Sequence, residues 1–128
     1  MNKRVLLASL PLSLLLIAAQ PAQAKWVRVA WTSGATNYVD DASITRQENL
    51  RKFAQLTDLK EMHERKFISL RTELETDCSS RKIRSLGGKA FSQPMAAGEV
   101  VLEIPTSDWV DIPVQSAAEA QMKFVCER

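Results

Sequence analysis

Apolar and polar residues alternate with a period of two along much of the chain, and that period predicts strands, because successive side chains of a strand point to opposite faces. Trp26-Val27-Arg28-Val29-Ala30-Trp31 and Thr36-Asn37-Tyr38-Val39 are rich in aromatic and β-branched residues. With a Ser33-Gly34 turn between them they predict a hairpin, ended by Asp40-Asp41-Ala42-Ser43. A third strand is expected from Leu50 to Asp58, after a polar turn at Thr45 to Asn49 and before a loop from Leu59 to Arg65.

From Lys66 to Cys78 the alternation is clearest. Ile68, Leu70, Leu74 and Cys78 share one face, the expected core side, and Ser69, Arg71, Glu73, Glu75 and Asp77 share the other, the expected wet side. A helical period would scatter the same apolar residues around a cylinder, so a strand is the better fit. Arg81 to Phe91 extends the chain again after Ser79-Ser80. A tight hairpin centred on the serines sets Asp77 opposite Lys82, Glu75 opposite Arg84 and, on the buried side, Thr76 opposite Ile83. Gly87-Gly88 marks a bulge or bend. Pro94 to Gly98 reads as a turn, and Glu99 to Ile104 as a further strand with Val100, Leu102 and Ile104 on one face, ended by Pro105. Ser116-Ala117-Ala118-Glu119 is a capping box, which predicts a helix from Ala117 to about Cys126 with Ala117, Ala120, Phe124 and Val125 as its apolar stripe. Ten residues do not hold a helix alone in water, so it must pack.

Composition adds a compartment. Lys3 and Arg4, an apolar stretch from Val5 to Ala19, and Ala22-Gln23-Ala24 have the three parts of an export signal, so Met1 to Ala24 is expected to be cleaved and residues 25–128 to form a single domain starting at Lys25. A membrane-spanning helix needs roughly 20 apolar residues, and Pro11, Gln20 and Pro21 interrupt or end this stretch; no stable span is expected after cleavage. No cysteine lies near the cleavage point to carry a lipid, so a lipoprotein is not expected and the product should be periplasmic or secreted. The formal charge of +2 includes Lys3 and Arg4, and without them 15 basic residues face 15 acidic ones, so nothing in the overall charge points to nucleic acid or an anionic membrane.

Cys78 and Cys126 are the only cysteines. In an oxidising compartment they most simply pair with each other. Because Cys78 sits on the face of Leu70 and Leu74, the bond requires the C-terminal helix to cross the buried side of the sheet. The expected architecture is therefore α+β: an antiparallel sheet of about six strands with one C-terminal helix packed on one face and tethered by a disulfide.

Several residues in this order, Trp26-Val27, then Tyr38-Val39-Asp40 with Ser43-Ile44, then Asp77-Cys78 followed by Arg81 and Arg84, then Trp109 with Pro113, and Phe124-Val125-Cys126 at the close, resemble the surface-adhesin protein E-like family of bacterial envelope proteins. The resemblance implies a small antiparallel sheet with a disulfide-tethered C-terminal helix. It also implies a surface module that binds host or matrix proteins.

Candidate chemistry is sparse. His63, the single histidine, has no partnered nucleophile or second nitrogen or thiolate ligand near it in sequence, and reads as a solvated loop residue. Glu73, Glu75 and Asp77 read as cross-strand ion-pair partners instead of the paired carboxylates of a glycosidase. Two basic groups are the candidates for partner binding: Arg81, Lys82 and Arg84, and Lys60, Arg65, Lys66 and Arg71. Trp26, Trp31 and Trp109 more often close a core than form an exposed platform. No phosphate-cradling loop, nucleophile elbow or metal signature is present, so no catalytic residue and no cofactor are expected. The expected function is a non-catalytic binding or interaction module of the cell envelope, with host matrix or envelope proteins as partners. A periplasmic structural or assembly factor is the alternative.

Overall fold

A computed structural model describes residues 23–128, together with 8, 9, 11 and 13. The expected export signal, Met1 to Ala24, lies almost entirely outside the described residues. The chain builds one antiparallel sheet from β1 (Trp26–Trp31), β2 (Ala35–Asp40), β3 (Thr45–Gln47), β4 (Leu50–Leu59), β5 (Ser69–Asp77), β6 (Lys82–Gln93), β7 (Ala97–Thr106) and β8 (Val110–Asp111), and closes with the helix α1 (Ala117–Cys126). The main strand order is β1-β2-β4-β5-β6-β7, with β3 paired to β4 and β8 to β6. This is the expected architecture, with two short strands added. Among the described residues no helix is long and apolar enough to cross a membrane.

The β5–β6 register is the one the charges predict: Asp77 opposite Lys82, Thr76 opposite Ile83, Glu75 opposite Arg84. Its turn is longer than a serine pair. Serine fits poorly in the left-handed conformations of a two-residue hairpin turn, and the connection instead spans residues 78–81, with Arg81 at φ 56°. Asp77 Oδ1 accepts from Ser79 N, Ser79 Oγ and Ser80 N at 3.0, 3.0 and 3.2 Å. The expected bulge is present, since Leu74 pairs with Ser85 and Glu73 with Gly87, which leaves Leu86 as the extra residue.

Three local expectations are corrected. Thr45–Gln47 is not turn but strand, paired to β4, and the bend falls at Glu48, φ 54°. Pro105 does not end its strand, because β7 is a sheet edge, where a residue without an N–H costs no ladder bond. The wet side of β5 is wet only at Arg71 and Glu73; Ser69 and Glu75 are buried. Ser69 Oγ donates to Gln93 O and accepts from Ala96 N, and Glu75 meets two cations. On the core side Leu74 is buried, together with Thr72 and Thr76, whereas Ile68, Leu70 and Cys78 are half-buried.

Strand pairing fixes the two faces of the sheet. Arg51, Phe53 and Gln55 of β4 lie opposite Thr76, Leu74 and Thr72 of β5, and this side faces α1. Val39, Phe53, Leu74 and Val125 form the core there, with Val29, Ile44, Ile83, Phe124 and Cys126 packed around them. The helix is capped as expected, Ser116 Oγ accepting from Glu119 N at 3.1 Å. Its buried stripe is Gln121, Met122 and Val125, so the expected stripe holds only at Val125. Ala120 is exposed, and Ala117 and Phe124 are half-buried. The rotation is set by Gln121, whose Oε1 accepts from Gln55 Nε2 at 2.7 Å, and by Met122, which buries far more apolar surface than an alanine.

Two further ties hold the helix C-terminus. Cys78 and Cys126 are joined, their Cα atoms 5.9 Å apart. Arg51, buried, donates through Nε to Arg128 O at 2.9 Å and through Nη1 to Glu48 O and Leu50 O. A cation at this end complements the partial negative charge of the helix terminus.

Candidate functional site

The structure divides the seven cations singled out by the sequence. Arg81, Lys82 and Arg84 are engaged internally. Arg81 Nη2 lies 2.5 Å from Glu119 Oε2, linking the β5–β6 turn to the start of α1. Lys82 Nζ is 3.4 Å from Asp111 Oδ1 on β8. It does not pair with Asp77 across the hairpin, whose Oδ1 accepts from the turn instead. Arg84 chelates the buried Glu75 through Nε and Nη2 at 2.9 and 2.5 Å and lies 4.6 Å over the Trp109 ring, while Lys52 Nζ approaches Glu75 from the other side at 3.9 Å. The bond from Arg81, then that from Gln115 N–H, hold the Glu119 carboxyl below its ordinary range; the Ser80 and Ser79 bonds do the same for Asp77.

Lys60, Arg65 and Lys66 are brought together in the connection between β4 and β5, all exposed, and among the described residues none has a carboxylate within ion-pair distance. His63 shapes this loop. Its ring stacks on Phe67 with centroids 4.4 Å apart, its Nδ1 accepts from Arg65 N, and its N–H donates to Phe67 O. It is half-buried, not the freely solvated residue expected. Among the described residues, no group of three or more His, Cys, Asp or Glu converges as metal ligands would.

Because β1, β4 and β6 all run toward the same end of the sheet, the β1–β2 turn, the β4–β5 loop and the β6–β7 turn meet there. Lys60 N donates to Gly34 O at 3.0 Å and Met95 N to Asp58 Oδ1 at 2.8 Å. Trp31, Met62 and Met95 are 66%, 50% and 43% exposed. This end of the sheet thus carries three exposed apolar side chains and three cations without an ion-pair partner, spread over its three connections, with Trp31 lining a groove against Gln115, Ser116 and Ala117 at the start of α1. Met62 and Met95 carry no signal in the sequence, and Trp31 reads there as core-closing, since only the antiparallel pairing brings residues 31, 62 and 95 to one end of the sheet.

Arg71 belongs elsewhere, on the sheet face turned away from α1. It lies opposite Leu56 and Lys89, and its guanidinium stacks 5.5 Å from the Trp26 ring. Two strands lie between β1 and β5. At about 4.8 Å per strand, the two side chains must lean toward each other over β2 and β4. Leu56 and Ala54 are fully buried although α1 lies on the other face. Arg28 similarly stacks 4.6 Å from Trp31. Residues three apart on a regular strand point to opposite sides, and the bulge between Arg28 and Ala30 turns both to one side. The tryptophans expected to close a core are therefore each faced by an arginine, and Trp31 is mostly exposed.

Comparison with known proteins supports the family and the fold. The sequence pattern of the surface-adhesin protein E family matches residues 26–127. Crystal form II of Haemophilus influenzae protein E superposes with a TM-score of 0.61 at 12% identity, covering 83% of this chain and 97% of that one. Protein E from non-typeable Haemophilus influenzae superposes with a TM-score of 0.54 at 13% identity, over 84% of this chain and 78% of that one. At such identities the superpositions establish a shared fold. No curated protein sequence matches the chain.

Proposed function

Starting from the premise that the chain belongs to the surface-adhesin protein E family, we propose that it is a non-catalytic binding module of the bacterial cell envelope, exported by its first 24 residues and adhesin-like in action. The observation that carries the reading is the loop end. Lys60, Arg65 and Lys66 stand free at the same end of the sheet as exposed Trp31, Met62 and Met95, a combination of apolar groups and cations that suits a protein partner. Arg81, Lys82 and Arg84, neutralised internally, are not part of the contact, and Arg71 is too firmly stacked on Trp26 to be a leading contributor.

The test is capture by the immobilised domain, residues 25–128, from envelope extracts and from matrix proteins. A partner should be recovered, and the triple charge reversal of Lys60, Arg65 and Lys66 to Glu should weaken capture by at least about tenfold while leaving the urea midpoint unchanged. Recovery of nothing tighter than about millimolar, or equal capture by the triple variant, would overturn the reading. Display at the surface, as opposed to a periplasmic assembly role, further requires that protease added to intact cells degrade the protein; full protection would favour the assembly role.

A further inference from the structure

Lys25, just ahead of β1, is held through its main chain and its ammonium, although its side chain is mostly exposed. Its main-chain N donates to Asp40 Oδ1 at 2.8 Å, its carbonyl accepts from Asp41 N at 2.9 Å, and its Nζ lies 3.8 Å from Asp41 Oδ2. Ala24, one residue earlier, is exposed and in no regular element. Asp40 is only 6% exposed, and the same Oδ1 accepts from Ala42 N at 3.1 Å, capping the 3-10 turn Asp41–Ser43. Among the described residues Asp40 has no cation within ion-pair distance, whereas Asp41 already meets Arg128 Nε at 2.7 Å as well as Lys25 Nζ. A buried carboxylate that receives only neutral amide donors is incompletely compensated.

Given the cleavage expected between Ala24 and Lys25, we infer that its product completes the fold: hydrolysis there turns the Lys25 amide into an α-ammonium seated on the buried Asp40 carboxylate. The balance is simple. Water adds across the peptide bond, the carboxylate leaves with Ala24, and the nitrogen that already donates to Asp40 gains protons and a positive charge. A neutral amide-to-carboxylate hydrogen bond becomes a charge-assisted one, roughly twice as strong. The inference goes beyond the binding reading, since it concerns how the domain is completed and not what it holds. It also gives the anchoring of residue 25 a purpose: the precursor lacks the charge pair, and the exported product acquires it without any movement of the chain.

The experiment has two parts. Mass spectrometry of the protein recovered from the exported fraction should show a chain beginning at Lys25; a different first residue would overturn the inference. Urea unfolding, with the disulfide intact, should then compare a chain beginning at Lys25 with one beginning at Gln20, each with Asp40 and with Asp40→Asn. With Asp40 present, the chain starting at Lys25 should have a folding constant roughly tenfold larger, and Asp40→Asn should abolish that difference. Should the Asn variants fail to fold, the comparison of the two starting points with Asp40 intact decides alone, and equal stability there would refute the ion pair. Partner capture does not depend on the ion pair, so equal stability of the two starting points leaves the binding reading standing, whereas a different first residue would also revise the bounds of the export signal.

Discussion

At Gly88 the backbones of β5 and β6 approach so closely that a Cβ would lie 2.3 Å from Arg71 O and 2.8 Å from Thr72 Cα. The atoms in the way are main chain and cannot rotate aside. Gly88→Ala should therefore destabilise the domain by about 1–3 kcal/mol, read as a lower urea midpoint; an unchanged midpoint would mean that the two strands can part at no cost. Gly87, φ 114°, serves a different purpose, supplying the backbone conformation of the bulge. The glycine pair was visible in the sequence as a break in an extended segment. Which of the two is needed for conformation and which for space was not, because that depends on a strand eleven or more residues away in the chain.

Among the elements, those with internal repetition were legible. The alternation in β5, the hairpin around Gly34 and the capping box of α1 are local signals, and the charge match across β5–β6 gave the right register although only its Glu75–Arg84 pair forms. The short strands β3 and β8, three and two residues long and exposed throughout, have no period to read; they exist because β4 and β6 offer ladder positions. Glu75 and Gln121 went inside against their polarity because Arg84 with Lys52, and Gln55, meet them there, and partners so distant in sequence leave no local trace. The same limit applies to the loop end, where the cations are legible, Met62 and Met95 are not, and Trp31 reads as a core-closing residue. At the start of α1, Glu119 joins the helix to the β5–β6 turn through Arg81. Its carboxyl is held below the ordinary range, so its contribution is complete above an unfolded value of about 4.3 and fades as pH falls through the lower folded value. Glu119→Gln should accordingly lower the urea midpoint at pH 7, with the gap to the parent protein shrinking below about pH 4; a gap constant with pH would place the carboxylate's role elsewhere.

On the scale of the whole molecule, a covalent bond and a buried arginine are among the ties that attach α1 to the sheet. Loss of the bond through Cys78→Ser or Cys126→Ser should cost roughly 2 to 5 kcal/mol, measured by urea unfolding. Alkylation of unfolded but unreduced protein should label neither cysteine, and full labelling would contradict the bridge. The 48-residue separation of its ends has a consequence for survival where proteases act. Cys78 and Cys126 close a ring that contains β6, β7, β8 and nearly all of α1, including the strained Met95-Ala96 turn and the exposed stretch around Val114. A single cut anywhere in that ring opens it without releasing a fragment, and the nicked molecule stays one covalent piece with its severed ends still held beside their sheet.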